Sequence, residues 1–171
     1  MVYLLKEVYL VENVVNVARA ICFEYGRITG EKIDEMKIHK LVYFAQREAL
    51  AIIDEPLFAE SLHGWKFGPV SHEVRRAWNS NTLDRPFSIS ADSLHIVKNV
   101  IYQYGSLASW RLSELSHREL SWKNARVGLA DGENGDRVMS IDDIRYDAAK
   151  VRPYDHIWDM YYDEFEDWEE N

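Results

Sequence analysis

The amino-acid sequence predicts a mainly α fold: a single compact helical domain of about six to eight helices, with a small β-hairpin or two short strands. Three observations carry that reading. Apolar residues recur at helical spacing along most of the chain. Cap residues and glycine stops punctuate the pattern. Few stretches alternate as a strand does. The 171 residues fit one domain, and a content of 47% hydrophobic and 13% aromatic residues supplies a core and argues against disorder.

The first helix is predicted from Val11, Val14, Val15, Ala18, Cys22 and Tyr25, with Gly26 as its stop. Cys22 reads as a small buried hydrophobe on that face. A second helix begins at Asp34, a good N-cap, and Ile33 with Ile38 can staple its start. Its stripe is Ile38, Leu41, Val42, Ala45, Ala49 and Ile52, widened by Tyr43, Phe44 and Leu50, and Pro56 ends it. A helix apolar on most sides belongs at the centre of a fold. The stretch from Phe58 to Phe67 reads as strand or extended chain, with Phe87 to Ile89 as a short strand that can pair with it. Between them Gly68-Pro69 breaks the chain, and Pro69 suits the first turn of a helix carrying Val70, Val74, Ala77 and Trp78. Ser90 caps a fourth helix (Leu94, Val97, Ile101, Tyr104) that stops at Gly105. Two short helices follow, around Trp110 to Ser116 and Trp122 to Val127. Gly128, Gly132 and Gly135 mark an exposed loop. Ser140 with Asp143 approximates a capping box for a last helix bearing Ile141, Ile144 and Ala148.

The formal net charge is -9, from 20 Lys+Arg and 29 Asp+Glu. Eight of the acids follow Arg152, where there is no Lys or Arg, so the first 152 residues are nearly balanced. This argues against whole-protein binding to nucleic acid or to an anionic membrane. The division is into residues 1–153 as the helical domain and 154–171 as an acidic, aromatic, amphipathic segment. In that segment Tyr154, Ile157, Trp158, Tyr161, Tyr162, Phe165 and Trp168 follow helical spacing, with acids such as Asp163, Glu166 and Asp167 between them. Trp and Tyr anchor interfaces, so Tyr154, Trp158, Tyr161, Tyr162, Phe165, Trp168, Asp163, Glu166 and Asp167 are candidates for binding a basic partner. Packing of the aromatic face on the protein's own body is the alternative.

No apolar run approaches the length of a membrane span, the start lacks a signal-peptide cleavage site, and one cysteine suits a reducing cytoplasm. The expectation is a cytoplasmic protein. Six histidines, His39, His63, His72, His95, His117 and His156, form no metal-ligand spacing, and there is no nucleophile elbow or phosphate loop. No catalytic residue, metal or other cofactor is expected. The run from Trp110 to Arg126 mimics a helix–turn–helix, but Trp122 is large and apolar where a recognition helix shows polar residues. It reads as a structural corner with Trp122 in the core.

Four segments in order carry a resemblance. They are Met36-Lys37-Ile38-His39-Lys40-Leu41-Val42-Tyr43-Phe44-Ala45-Gln46; Pro56-Leu57-Phe58 with Glu60; Trp65-Lys66-Phe67-Gly68-Pro69-Val70; and Leu112-Ser113-Glu114-Leu115-Ser116-His117 with Trp122 and Ala125-Arg126. Together they resemble the Panacea domain, the SocA-like antitoxin domain also found in phage-associated GepA proteins, over about residues 11–148. Ser121 stands where that family usually has proline. The resemblance implies a mostly helical domain with a small β element. It also implies an antitoxin of a toxin–antitoxin system that neutralises a cognate protein toxin by direct binding, rather than an enzyme. Met36, Lys37, His39, Lys40, Tyr43, Gln46, Trp65, Gly68, Pro69, His117 and Trp122 are then scaffold residues of the family motif. Two other readings stay open: a proteolytic adaptor that delivers a toxin to a cellular protease, and an acidic DNA mimic.

Overall fold

The computed structural model describes residues 11–152. Asn13 opens the first helix, α1 (Val14–Thr29), by accepting hydrogen bonds from the amides of Val15 (2.9 Å) and Asn16 (3.4 Å). The helix ends at Gly30, which holds the left-handed conformation (φ 72°). Gly26, the expected stop, lies inside the helix. The left-handed position falls at Gly30 and not at Gly26, so Gly26 only weakens the helix interior slightly.

Asp34 caps α2 (Glu35–Ile53) through the Lys37 amide at 2.9 Å, as its position predicts. Every residue from Lys37 to Leu50 is buried, so α2 is the axle of the fold. It packs against α1, against α4 (Ala91–Tyr104), α5 (Ser109–His117) and α7 (Ile141–Ala149), and against a small hairpin. Two details differ from expectation. The helix ends at Asp54 (φ 55°), before Pro56, and Ile52 is exposed because the stripe turns outward in the last turn. Val11 is also exposed, ahead of α1.

The first strand of the hairpin falls inside the stretch from Phe58 to Phe67, but its partner is not Phe87 to Ile89. β1 (His63–Trp65) pairs antiparallel with β2 (Gly68–Val70), in register His63↔Val70, Gly64↔Pro69 and Trp65↔Gly68. Gly68 takes φ 114°, a backbone angle closed to most side chains, which lets the chain reverse directly after Trp65. Pro69 therefore lies in a strand of a two-stranded sheet, where a proline is tolerated. The following helix, α3 (His72–Asn79), starts only after Ser71, whose hydroxyl accepts from the Val74 amide at 3.2 Å. Phe87 to Ile89 is not strand; the Phe87 ring instead meets Phe23 edge-on at 5.9 Å.

Ser90 and Gly105 bound α4 as expected. The two short helices are α5 and α6 (Leu120–Ala125). Ser140 precedes α7, but no capping box forms: Ser140 makes no side-chain cap bond, and Asp143 accepts from Asn124 of α6 at 3.1 Å. The seven helices and one hairpin of the described residues make the fold mainly α, as predicted. No described helix is long and apolar enough to cross a membrane. The candidate partner-binding residues Tyr154, Trp158, Tyr161, Tyr162, Asp163, Phe165, Glu166, Asp167 and Trp168 lie outside the described residues, as does His156.

Candidate functional site

Helix α2 carries polar side chains into the interior at almost every turn, and each does a different job. Lys37 Nζ donates to the Gly105 carbonyl (2.9 Å) and the Tyr25 hydroxyl (3.2 Å), tying α2 to the end of α4 and to α1. Gln46 holds the chain after the helix: Oε1 accepts from the Leu57 and Phe58 amides (2.7 and 3.3 Å), and Nε2 donates to the Phe58 carbonyl (3.0 Å). One amide side chain thus does the work of a strand partner.

Tyr43 stands between α6 and α7. Its hydroxyl is 3.0 Å from Glu119 Oε2 and 3.3 Å from both Asp147 Oδ2 and Ser121 Oγ. Burial, with Glu119 and Asp147 beside it, pushes the phenol well above its ordinary range, so it stays protonated. Asp147 also accepts from the amides of Leu120 (2.8 Å) and Ser121 (3.0 Å), and so caps α6 from another helix where Glu119 makes no side-chain cap bond. The Ser121 amide is one of its two anchors, and a proline there would have no N–H to give.

The N-terminal half of α2 meets the hairpin. Lys40 is 2% exposed, and its Nζ donates to the Pro69 carbonyl at 3.3 Å. Burial lowers its ammonium from 10.5 to about 7 against the pull of Asp34 and Glu35. The same approach explains Gly68: a Cβ there would lie 2.5 Å from Ser116 Oγ and 2.6 Å from Lys40 Cε. Immediately before Lys40 in the chain, His39 Nδ1 accepts from the Ser71 amide at 3.3 Å. The ring's proton therefore sits on Nε2, which has no hydrogen-bond partner; Glu35 Oε1 is 3.7 Å away, beyond reach.

These residues form one wall of a cleft of about 730 Å3. Met36, Trp65, Phe67 and Val70 give it apolar surface, and Phe67 is half-exposed. Arg75 lies 5.2 Å over the Trp65 ring and pairs with Glu35 at 2.6 Å. The opposite wall is the loop of Asn134, Gly135 and Asp136, where Asp136 Oδ1 accepts from Trp65 Nε1 at 2.7 Å. Trp122 is half-buried rather than within the core: it stacks on His117 at 4.0 Å and donates to the Trp65 carbonyl at 2.8 Å. The corner from Trp110 to Arg126 is braced from inside, because Arg126 is buried and donates to the carbonyls of Gly64 (3.2 Å) and Glu133 (2.5 Å).

Of the motif residues, the structure brings Met36, His39, Lys40 and Trp65 to the cleft, with Gly68 and Pro69 shaping its edge. It places Lys37, Tyr43 and Gln46 elsewhere along α2, and His117 with Trp122 behind the hairpin. Arg75 and Asp136 belong to the cleft without any motif marking them, and Phe67 belongs to it from within the motif segment 65–70. Cys22 is not reactive in this setting: burial pushes its thiol up to about 12.

A buried polar axle with an open, hairpin-walled cleft defines a helical binding scaffold. The family model for the antitoxin SocA-like Panacea domain matches residues 38–123, from α2 to α6, and the chain belongs to that family. No curated protein and no solved structure matches it significantly.

Proposed function

We propose that this protein is the antitoxin of a toxin–antitoxin pair and neutralises a cognate protein toxin by direct binding, without turnover. The observation that carries the reading is membership of the SocA-like antitoxin family over residues 38–123, which supply His39, Lys40, Trp65, Phe67, Val70 and Arg75 to the cleft. The disposition of the ionisable groups supports a binder over an enzyme. His39, Lys40 and Tyr43 are buried and committed to backbone or helix-end contacts. The cleft offers Trp65, Phe67 and Arg75, residue types that anchor protein interfaces. The acidic segment 154–171 supplies a second contact for a basic toxin surface, with residues 1–153 as the scaffold.

The test is co-expression with the product of the adjacent gene. A toxic neighbour that this chain neutralises, with a stable complex on gel filtration, is the expected result. Rescue that persists in a protease-null strain separates direct binding from proteolytic delivery. A chain ending at Pro153 that rescues fully would remove the role of the acidic segment and leave the cleft. A harmless neighbour that does not bind would overturn the antitoxin reading itself.

A further inference from the structure

Beside the cleft, three side chains from distant parts of the sequence converge. His63 comes from β1, His72 is the first residue of α3, and Asp136 sits in the loop before α7. His72 Nε2 lies 2.7 Å from Asp136 Oδ1 and His63 Nδ1 lies 3.4 Å from it. All three potential ligand atoms fall within 4.8 Å of one another. Backbone register sets this meeting. The Gly64 amide donates to the Arg137 carbonyl at 2.9 Å, and His63 bridges Val138, which holds Asp136 against the hairpin. The carboxylate is also aimed: Trp65 Nε1 donates to the same Oδ1 at 2.7 Å. Such an outer hydrogen bond orients ligand groups in metal sites.

We propose that His63, His72 and Asp136 form a binding site for a late first-row divalent cation, with zinc as the ion that suits the set. Two imidazoles and one carboxylate are borderline donors, which match Zn2+ better than Mg2+ or Ca2+. Three protein ligands leave a fourth tetrahedral position for water, and the site is open to it: the Asp136 side chain is 59% exposed and that of His72 is 32% exposed. The two rings lie nearly parallel, 3.7 Å apart, so ligation tilts them out of the stack by rotation of the side chains while the backbone stays in place. The bound ion clips three elements together, the hairpin, the start of α3 and the loop that forms the far wall of the cleft. This site needs no toxin, so its test is independent of the antitoxin reading.

The experiment is titration of the chelator-treated full chain with ZnCl2 in a calorimeter, with circular dichroism to check the fold of each variant. One zinc per chain is expected, with a raised melting temperature in its presence. His72→Gln and Asp136→Asn should each weaken binding at least tenfold. Trp65→Phe, which keeps an aromatic side chain and removes the N–H that orients Asp136, should weaken it about tenfold. His95→Ala and His156→Ala should leave it unchanged. If zinc does not bind, or binds equally to folded His72→Gln, the proposal is wrong. If the His95 or His156 variant is the one that loses binding, the ion sits elsewhere and the proposal fails in the same way.

Discussion

His39 offers the most quantitative test of the buried axle. The side chain is 3% exposed, and burial, reinforced by Lys40 and Arg75, pushes its imidazole from 6.5 down to about 3. Between those two values the unfolded chain binds a proton that the folded chain refuses. Stability is therefore full above pH 6.5 and falls as the pH drops toward 3. The slope for one such group approaches about 1.4 kcal/mol per pH unit. From pH 7 to pH 5 the loss amounts to about 2 kcal/mol, because the first half-unit lies above the unfolded pKa. His39→Gln keeps a polar side chain and cannot titrate. Urea unfolding of both proteins at pH 7, 6 and 5 reads the difference. The wild-type midpoint should fall by about 1 M more than that of the variant, for a slope near 2 kcal/mol per M. His117 is also pushed down, by burial and by Lys40 and Arg126, but it is present in both proteins and cancels. Parallel pH profiles for wild type and His39→Gln would mean that His39 is hydrated and not buried in the cleft wall.

Three other outcomes are expected. Gly68→Ala should destabilise the fold by about 2 kcal/mol or more in thermal unfolding, since alanine strains φ 114° and its Cβ meets Lys40 and Ser116. Tyr43→Phe should cost about 1–3 kcal/mol, measured by urea unfolding, because Glu119 and Ser121 lose a buried partner. Cys22 in the native protein should react with iodoacetamide at pH 8 roughly a thousandfold more slowly than in urea, given a thiol raised from 9.0 to about 12.

The legible parts of the fold were those in which one local signal decides the outcome. Asp34, Ser90 and Gly105 mark helix ends with chemistry that acts within four residues, and the structure places the ends there. The apolar width of α2 marked it as central. The first strand was legible within Phe58 to Phe67, but its partner was misplaced because the determinant of the pairing is not alternation. It is the ability of Gly68 to take a positive φ while leaving room for Lys40, a contact between residues far apart in sequence. Gly26 and Gly30 show the same limit at a smaller scale: both are glycines near the end of an apolar pattern, and the helix runs through the first and stops at the second. The cleft was half legible. Met36, His39, Lys40 and Trp65 stand in motifs, whereas Asp136 reaches the cleft through the pairing of Gly64 with Arg137. His63 and His72 were visible as histidines, but nothing in their spacing joins them to a residue more than sixty positions later.

The placement of polar groups on α2 has a consequence for how this scaffold can vary. Lys37, Lys40 and Gln46 donate to the carbonyls of Gly105, Pro69 and Phe58, and Tyr43 and Arg47 bond to the side chains of Asp147 and Tyr104, so α2 reaches the end of α4, β2, α7 and the chain that follows it. Apolar contacts are non-directional and tolerate repacking of similar volume, whereas a buried lysine bonded to one carbonyl requires that carbonyl in one place. The axle therefore fixes the positions of the elements packed around it through specific polar contacts. Ser121 illustrates the arrangement. Its amide and that of Leu120 are held by Asp147, so α6 starts at the same place whatever its outer face carries. Lys66 and Phe67 line the cleft from the turn between β1 and β2, and Arg75 lines it from α3. A scaffold of this kind separates the residues that build the cleft from those that would choose what binds it.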